Sequence, residues 1–218
     1  MEQDGNDPAA PLPAGNFSEW LRDMRAALGS SGGMDVACGD CRGCCTSHYY
    51  IKVRAHETRA LERIGESRLE PGPPNDPESR LMGFRENGHC HMLVGRDCSI
   101  YQDRPETCRS YDCRVYAAAG IRAGDDKHEI NARVARWRFS YPSDVDREEQ
   151  RAVTSAANFL RQHIVKFPGG HVPSRPSEIA VLAVKSYTVF LDPPGEDEDT
   201  GKAIIEATLE FNRARRNR

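Results

Sequence analysis

The chain has 218 residues and a formal charge of −3, with 38% hydrophobic and 29% charged residues. That length allows one large domain or one domain with appendages. The small net charge argues against the strong field that draws a protein to nucleic acid or an anionic membrane. Residues 1–15 are acidic and rich in Pro, Ala and Gly, without a basic segment leading into an apolar one, so a disordered leader is expected here and not an export signal. No stretch nears the ~20 apolar residues of a membrane span. A cytoplasmic protein is expected, and in that compartment structural disulfides are disfavoured.

The first predicted element is a helix from Phe17 to Leu28, because Phe17, Trp20, Leu21, Met24 and Leu28 form one stripe at helical spacing. Asn16 and Glu19 have the spacing of a capping box, and Gly29 is placed to stop the helix. Gly29 to Gly33 reads as a linker. A short strand is expected over Tyr49 to Val53, a helix over Ala55 to Ile64, and a proline-rich loop over residues 66–80. Asn87-Gly88 between Leu81–Phe84 and Cys90–Leu93 predicts a hairpin. Pro105 at a first helical position predicts a short helix in Arg104 to Cys113. Beyond Tyr116 a helix is expected over Asp146 to Ile164 with Ser143 as its cap. Ser177 to Leu191 is β-branched enough to read as helix or strand, and a last helix covers Thr200 to Arg213, after the loop Asp192 to Gly195. The basic C-terminal run reads as a solvated tail.

All eight cysteines, Cys38, Cys41, Cys44, Cys45, Cys90, Cys98, Cys108 and Cys113, lie in this middle region. Cysteine used merely as a small apolar residue would be scattered. A two-residue gap lets successive thiolates face one concavity, and Gly39 and Gly43 supply the permissive dihedrals such a loop needs. Three cysteines at this spacing suit most of an iron–sulfur cluster, and paired gaps of two also suit tetrahedral zinc; the spacing leaves both open. Cys44 and Cys45 are adjacent, so their side chains are expected to diverge. Four thiolates on a divalent ion leave a charge of about −2. Arg42, Arg96, Arg104, Arg109 and Arg114 each lie within a few residues of a cysteine and are candidates to neutralise it. His48, His56, His89 and His91 are subsidiary ligand candidates. No zinc-protease helix, phosphate loop or dinucleotide fingerprint is present, and the aromatic-plus-basic pattern of nucleic-acid modules is missing.

Cys38 to Cys45 has the form C-x2-C-x2-C-C, and Cys98-Ser99-Ile100-Tyr101 through Arg104-Pro105 to Cys108-Arg109-Ser110-Tyr111-Asp112-Cys113 completes a second motif. Together they resemble the YkgJ-type cysteine-cluster family of zinc- or iron-chelating proteins, with Cys90 fitting that family's intervening cysteine. The resemblance covers about a third of the chain. It implies that all eight cysteines are metal ligands and that the cofactor is zinc or an iron–sulfur cluster, [4Fe–4S] in preference to [2Fe–2S] if iron. It also carries an alternative, an iron–sulfur-dependent enzyme modifying a protein or peptide, related to flagellin lysine methylases. A pocket lined by Tyr101, Tyr111 or His91 would favour that alternative, and no catalytic residue is assigned.

The expected fold is α+β and mainly α-helical. A cysteine-rich, metal-organised region with a short hairpin is followed by C-terminal helices. The expected divisions are a leader (1–15), a cysteine-cluster domain with its N-terminal helix (16–116), and a mainly helical part packed on it (117–218). The expected partners are a metal ion or cluster and a protein or peptide substrate, without membrane or nucleic acid.

Overall fold

The chain's first element is a strand that its composition does not announce. In the computed structural model, which describes residues 10–29, 33–34, 36, 38–74, 76–193 and 195–216, Leu12–Asn16 forms β1 and pairs in parallel with Trp137–Ser140. This corrects the expectation of a disordered leader at residues 12–15; residues 1–9 lie outside the described residues. Extended backbone is stable here because a distant segment satisfies it. Leu12 N–H donates to the Arg136 carbonyl at 2.8 Å, and Arg114 donates to the Ala14 carbonyl at 3.1 Å. Helix α1 (Phe17–Gly29) follows, capped by Asn16, whose side-chain oxygen accepts from Glu19 N–H at 2.9 Å. Phe17, Trp20, Leu21 and Met24 are buried, as the stripe requires.

The chain divides into two compact units. The cysteine unit comprises residues 31–112 and 126–130; the helical unit comprises residues 1–30, 113–125 and 131–218.

Short elements make up the cysteine unit: a 3-10 turn at Gly43–Cys45, β2 (Ile51–Val53), α2 (Thr58–Ile64), β3 (Leu69–Pro71), β4 (Arg80–Met82), β5 (Leu93–Val94), β6 (Asp97–Cys98) and α3 (Glu106–Arg109). Strand β4 is the centre of an antiparallel sheet in the order β2-β4-β3. The expected loop over 66–80 therefore contains a strand. The Asn87-Gly88 turn forms, with Gly88 at φ +80° and its N–H donating to the Arg85 carbonyl at 2.7 Å. Its flanks meet only at a Phe84–Cys90 bridge, because β4 already pairs on both edges. The two-residue hairpin lies further on, where Leu93 pairs with Cys98 around Gly95-Arg96. The core is small: Val53, Ala60, Ile64, Met82, Met92 and Ile100, with Cys90 and Cys98 packed against it.

The helical unit continues with α4 (Arg114–Ala119), the end of α5 (His128–Val134), β7 (Trp137–Ser140), α6 (Asp144–Gln162), α7 (Pro176–Ser186) and α8 (Asp197–Arg216). Helix α6 buries Ala152, Val153, Ala156, Ala157 and Leu160, and α7 buries Ile179, Ala180, Ala183 and Val184. These small residues let the two helices pack closely. Ser143 caps α6 in a reciprocal box with Asp146. The ambiguous stretch 177–191 is helical, started by Pro176 at N1 and closed by a 3-10 turn at Tyr187–Phe190. The fold is thus the mainly helical α+β arrangement expected. No helix among the described residues is long and apolar enough to cross a membrane.

Candidate metal centre

Three segments of the cysteine unit, far apart in sequence, carry its thiols. The first is the loop 38–45. Cys41 N–H donates to the Cys38 carbonyl at 2.9 Å, closing a turn that Gly39 allows with φ +54°. Gly43 does not use a left-handed conformation; its requirement is space. A Cβ there would lie 3.1 Å from Ile130 Cγ1 and 3.2 Å from Ile130 N. Close backbone approach, and not dihedral freedom, is what fixes glycine at 43.

The second segment is the hairpin region, where Cys90 N–H donates to the Cys45 carbonyl at 2.7 Å and Met92 N–H donates to Cys90 Sγ at 3.4 Å. Arg42 joins the loop to this hairpin. Its guanidinium donates to the carbonyls of Gly39 (3.0 Å) and Cys41 (2.9 Å) within the loop, and to the Arg96 carbonyl and Asp97 carboxylate (3.3 Å) in the hairpin turn. Arg96 reciprocates, donating to the Asp40 carbonyl at 3.3 Å. A planar fork suits such multiple contacts better than an ammonium does.

The third segment is α3, a single turn carrying Cys108. Buried carboxylates hold it. Glu106 N–H donates to Glu57 Oε1 at 2.6 Å, and Arg54 N–H donates to Glu57 Oε2 at 2.8 Å. Glu106 itself is paired with Arg54 and with His56 Nε2 at 3.0 Å. Burial works to raise the Glu106 carboxyl, but the His56 hydrogen bond and the Arg54 and Arg109 charges prevail and hold it below the usual range. The carboxylate pair was not found from sequence, because nothing in the spacing of Glu57 and Glu106 announces that they meet.

Electrostatics tie the three segments together. Burial pushes the Cys108 thiol far up, and the neighbouring Cys44, Cys90 and Cys98 push it further. Cys90 is raised first by burial and then by Cys98 and Cys44. Cys44 keeps exposed surface, yet its sulfur is held against that of Cys45; this contact, then burial, raises it strongly. The adjacent Cys44 and Cys45 thiols therefore interact and do not simply diverge as expected. Cys44, Cys90 and Cys98 thus all lie near enough to Cys108 to act on it.

The other cysteines stand differently. Cys38 is exposed and Cys41 half-buried on the loop turn. Cys113 belongs to the helical unit, where Trp137 Nε1–H donates to its sulfur at 3.2 Å. None of the eight forms a disulfide. Among the arginines, Arg104 lies over the Tyr101 ring at 3.9 Å and its charge eases the Cys108 thiol downward. Arg109 turns elsewhere, donating to the Arg104 carbonyl at 2.6 Å and lying 3.9 Å from Glu57. His48 adopts φ +55° and packs edge-on to Phe84. His56 serves Glu106, and His89 N–H donates to the Asn87 side chain. His91 accepts a bond from Arg85 at its carbonyl.

Among the described residues no three His, Cys, Asp or Glu side chains converge as a finished ligand shell. The donor set nonetheless fits a thiophilic metal in kind: soft thiol donors from three segments are grouped where Cys44, Cys90 and Cys98 oppose the ionisation of Cys108, which a bound cation reverses. Residues 37–134 match the model of the family CxxCxxCC, whose description reads "Putative zinc- or iron-chelating domain". No curated protein and no solved structure matches the chain.

Proposed function

We propose that the cysteine unit binds a metal through Cys44, Cys90, Cys98 and Cys108, and that the bound metal, zinc or iron, organises this unit. The observation that carries the reading is that thiols from three segments meet near Cys108, with Cys90 and Cys98 packed against one small core and Cys44, Cys90 and Cys98 all opposing the ionisation of Cys108. Thiols merely filling a core have no reason to gather from three segments in this way. A cation converts that repulsion into attraction and draws the sulfurs inward. All-thiolate donors select zinc or iron–sulfur chemistry over hard cations. In this reading Arg42 sets the loop against the hairpin, and Arg104 offsets part of the negative charge left after binding. Cys38, Cys41, Cys45 and Cys113 lie outside the proposed inner set.

The chain's own part is to present four deprotonated sulfurs; the protons they shed leave to solvent, so binding weakens as pH falls. Purification under anaerobic, chelator-free conditions followed by elemental analysis tests the proposal. Zinc or iron above trace is expected, with visible absorption distinguishing an iron–sulfur cluster from spectroscopically silent zinc. Neither metal above trace would refute it.

A further inference from the structure

Cys108 is one of the four proposed ligands, and a helix carries it. Yet its helix, α3, is a single turn, Glu106–Arg109. One turn cannot persist alone, because nucleating a helix costs more than its first hydrogen bonds return. Nor does α3 cap itself: Pro105 at its N-cap position makes no side-chain bond. Its position must come from outside.

Four bonds with the segment 52–57 supply it. Glu57 accepts from Glu106 N–H at 2.6 Å with one oxygen and from Arg54 N–H at 2.8 Å with the other. Glu106 pairs with Arg54 and His56. Thr107 Oγ1 donates to the Lys52 carbonyl at 2.6 Å. The side chains of Glu57 and Glu106 are only 5% and 7% exposed. Buried carboxylates are costly, and a well-packed apolar pair often stabilises a fold as well or better. What an apolar pair lacks is the ability to fix two backbone segments in one register.

We propose that Glu57 and Glu106 are positioning residues for the metal site, bracketing α3 so that Cys108 stands where it completes the thiolate set. The inference rests on the metal-binding reading above and assigns neither carboxylate to the metal. Glu57→Gln is the sharpest probe. A glutamine offers one acceptor oxygen where two are used and sets an N–H₂ donor against a backbone N–H.

Cobalt(II) titration of the reduced full-length protein reads the site directly, because each thiolate on cobalt contributes to a sulfur-to-metal charge-transfer band. Glu57→Gln is expected to lower that band to the level of Cys108→Ser and to weaken cobalt binding roughly 10–100-fold, with the far-ultraviolet circular dichroism unchanged. Cys108→Ser added to Glu57→Gln is expected to cost nothing further, because both changes remove the same ligand. A parental band and affinity in Glu57→Gln, or fully additive losses in the double variant, overturn the positioning role and leave metal binding intact. A parental protein that shows no such band overturns the metal reading and this inference with it. Should Glu57→Gln fail to fold, Thr107→Val removes one bond from the same bracket without touching a buried charge: a reduced band supports the proposal, and an unchanged band overturns it.

Discussion

The two units hold themselves together by different means. The helical unit buries Phe17, Leu21 and Met24 of α1, Val153 and Ala157 of α6, Ala183 and Val184 of α7 and Ile204 of α8. Its helix starts are anchored, as where the buried Asp146 accepts from Ser143 and, at 3.0 Å, from Ser18 N–H. The cysteine unit has six buried core residues and strands of two or three residues. Such strands do not make a stable sheet unaided. What it has in addition is polar cross-bracing, by Arg42 between loop and hairpin and by Glu57 between β2 and α3, arranged around thiols. Apolar area stabilises the one; the other relies on braces and, in our reading, on metal.

Removing the metal should separate the units most sharply. Structural zinc contributes ~10–16 kcal/mol of apparent binding free energy in small cysteine peptides. A strong chelator is therefore expected to abolish hydrogen-exchange protection in β2, β4 and α3 while α6 and α7 keep theirs. Equal loss in both units would break the distinction. Next in size, Ile204→Ala opens a cavity in the helical unit, an effect of about 2–5 kcal/mol. It should lower the thermal stability of α6 to α8 and leave metal stoichiometry alone. Metal loss in this variant would show that the units are not independent in this respect.

The cysteines sharpen the comparison from inside. Cys98→Ser removes a proposed ligand and should cost most of the bound metal, whereas Cys38→Ser, at an exposed turn position, should cost little. Arg42→Lys keeps the charge but loses the fork that spans Gly39, Cys41, Arg96 and Asp97. Faster metal loss to a chelator, by about 10–100-fold in affinity, is expected. Arg109→Lys, whose parent contacts a carbonyl and a carboxylate, should do less. The smallest effect concerns acid. The Ser143 hydroxyl and then the Ser18 N–H hold the Asp146 carboxyl well below its ordinary range. Its contribution is therefore complete above the ordinary carboxylate pKa and is lost as pH falls through the lowered one. Asp146→Asn should make acid unfolding of the helical unit begin at higher pH, measured by circular dichroism.

These differences also explain what could be read in advance. The stripe of α1, the Ser143 cap and the Asn87-Gly88 turn are local signals, and each forms as read. Strand β1 was hidden because its stability comes from a partner more than a hundred residues away. The chain registers neither that pairing nor the one between Glu57 and Glu106 in local spacing. The cysteine motifs located the candidate site, since eight thiols in one region is a compositional signal. They did not separate the proposed ligands Cys44, Cys90, Cys98 and Cys108 from Cys38, Cys41, Cys45 and Cys113. That division depends on the braces, on the 3-10 turn at Gly43–Cys45 and on the chain's passage into the helical unit after Asp112.

X-ray absorption at the metal edge of a Cys38→Ser, Cys41→Ser, Cys45→Ser, Cys113→Ser quadruple variant tests the central claim most directly. The account predicts an all-sulfur first shell, unchanged from the parent, because Cys44, Cys90, Cys98 and Cys108 remain. A fall in sulfur coordination number, or nitrogen and oxygen entering the shell, would contradict it.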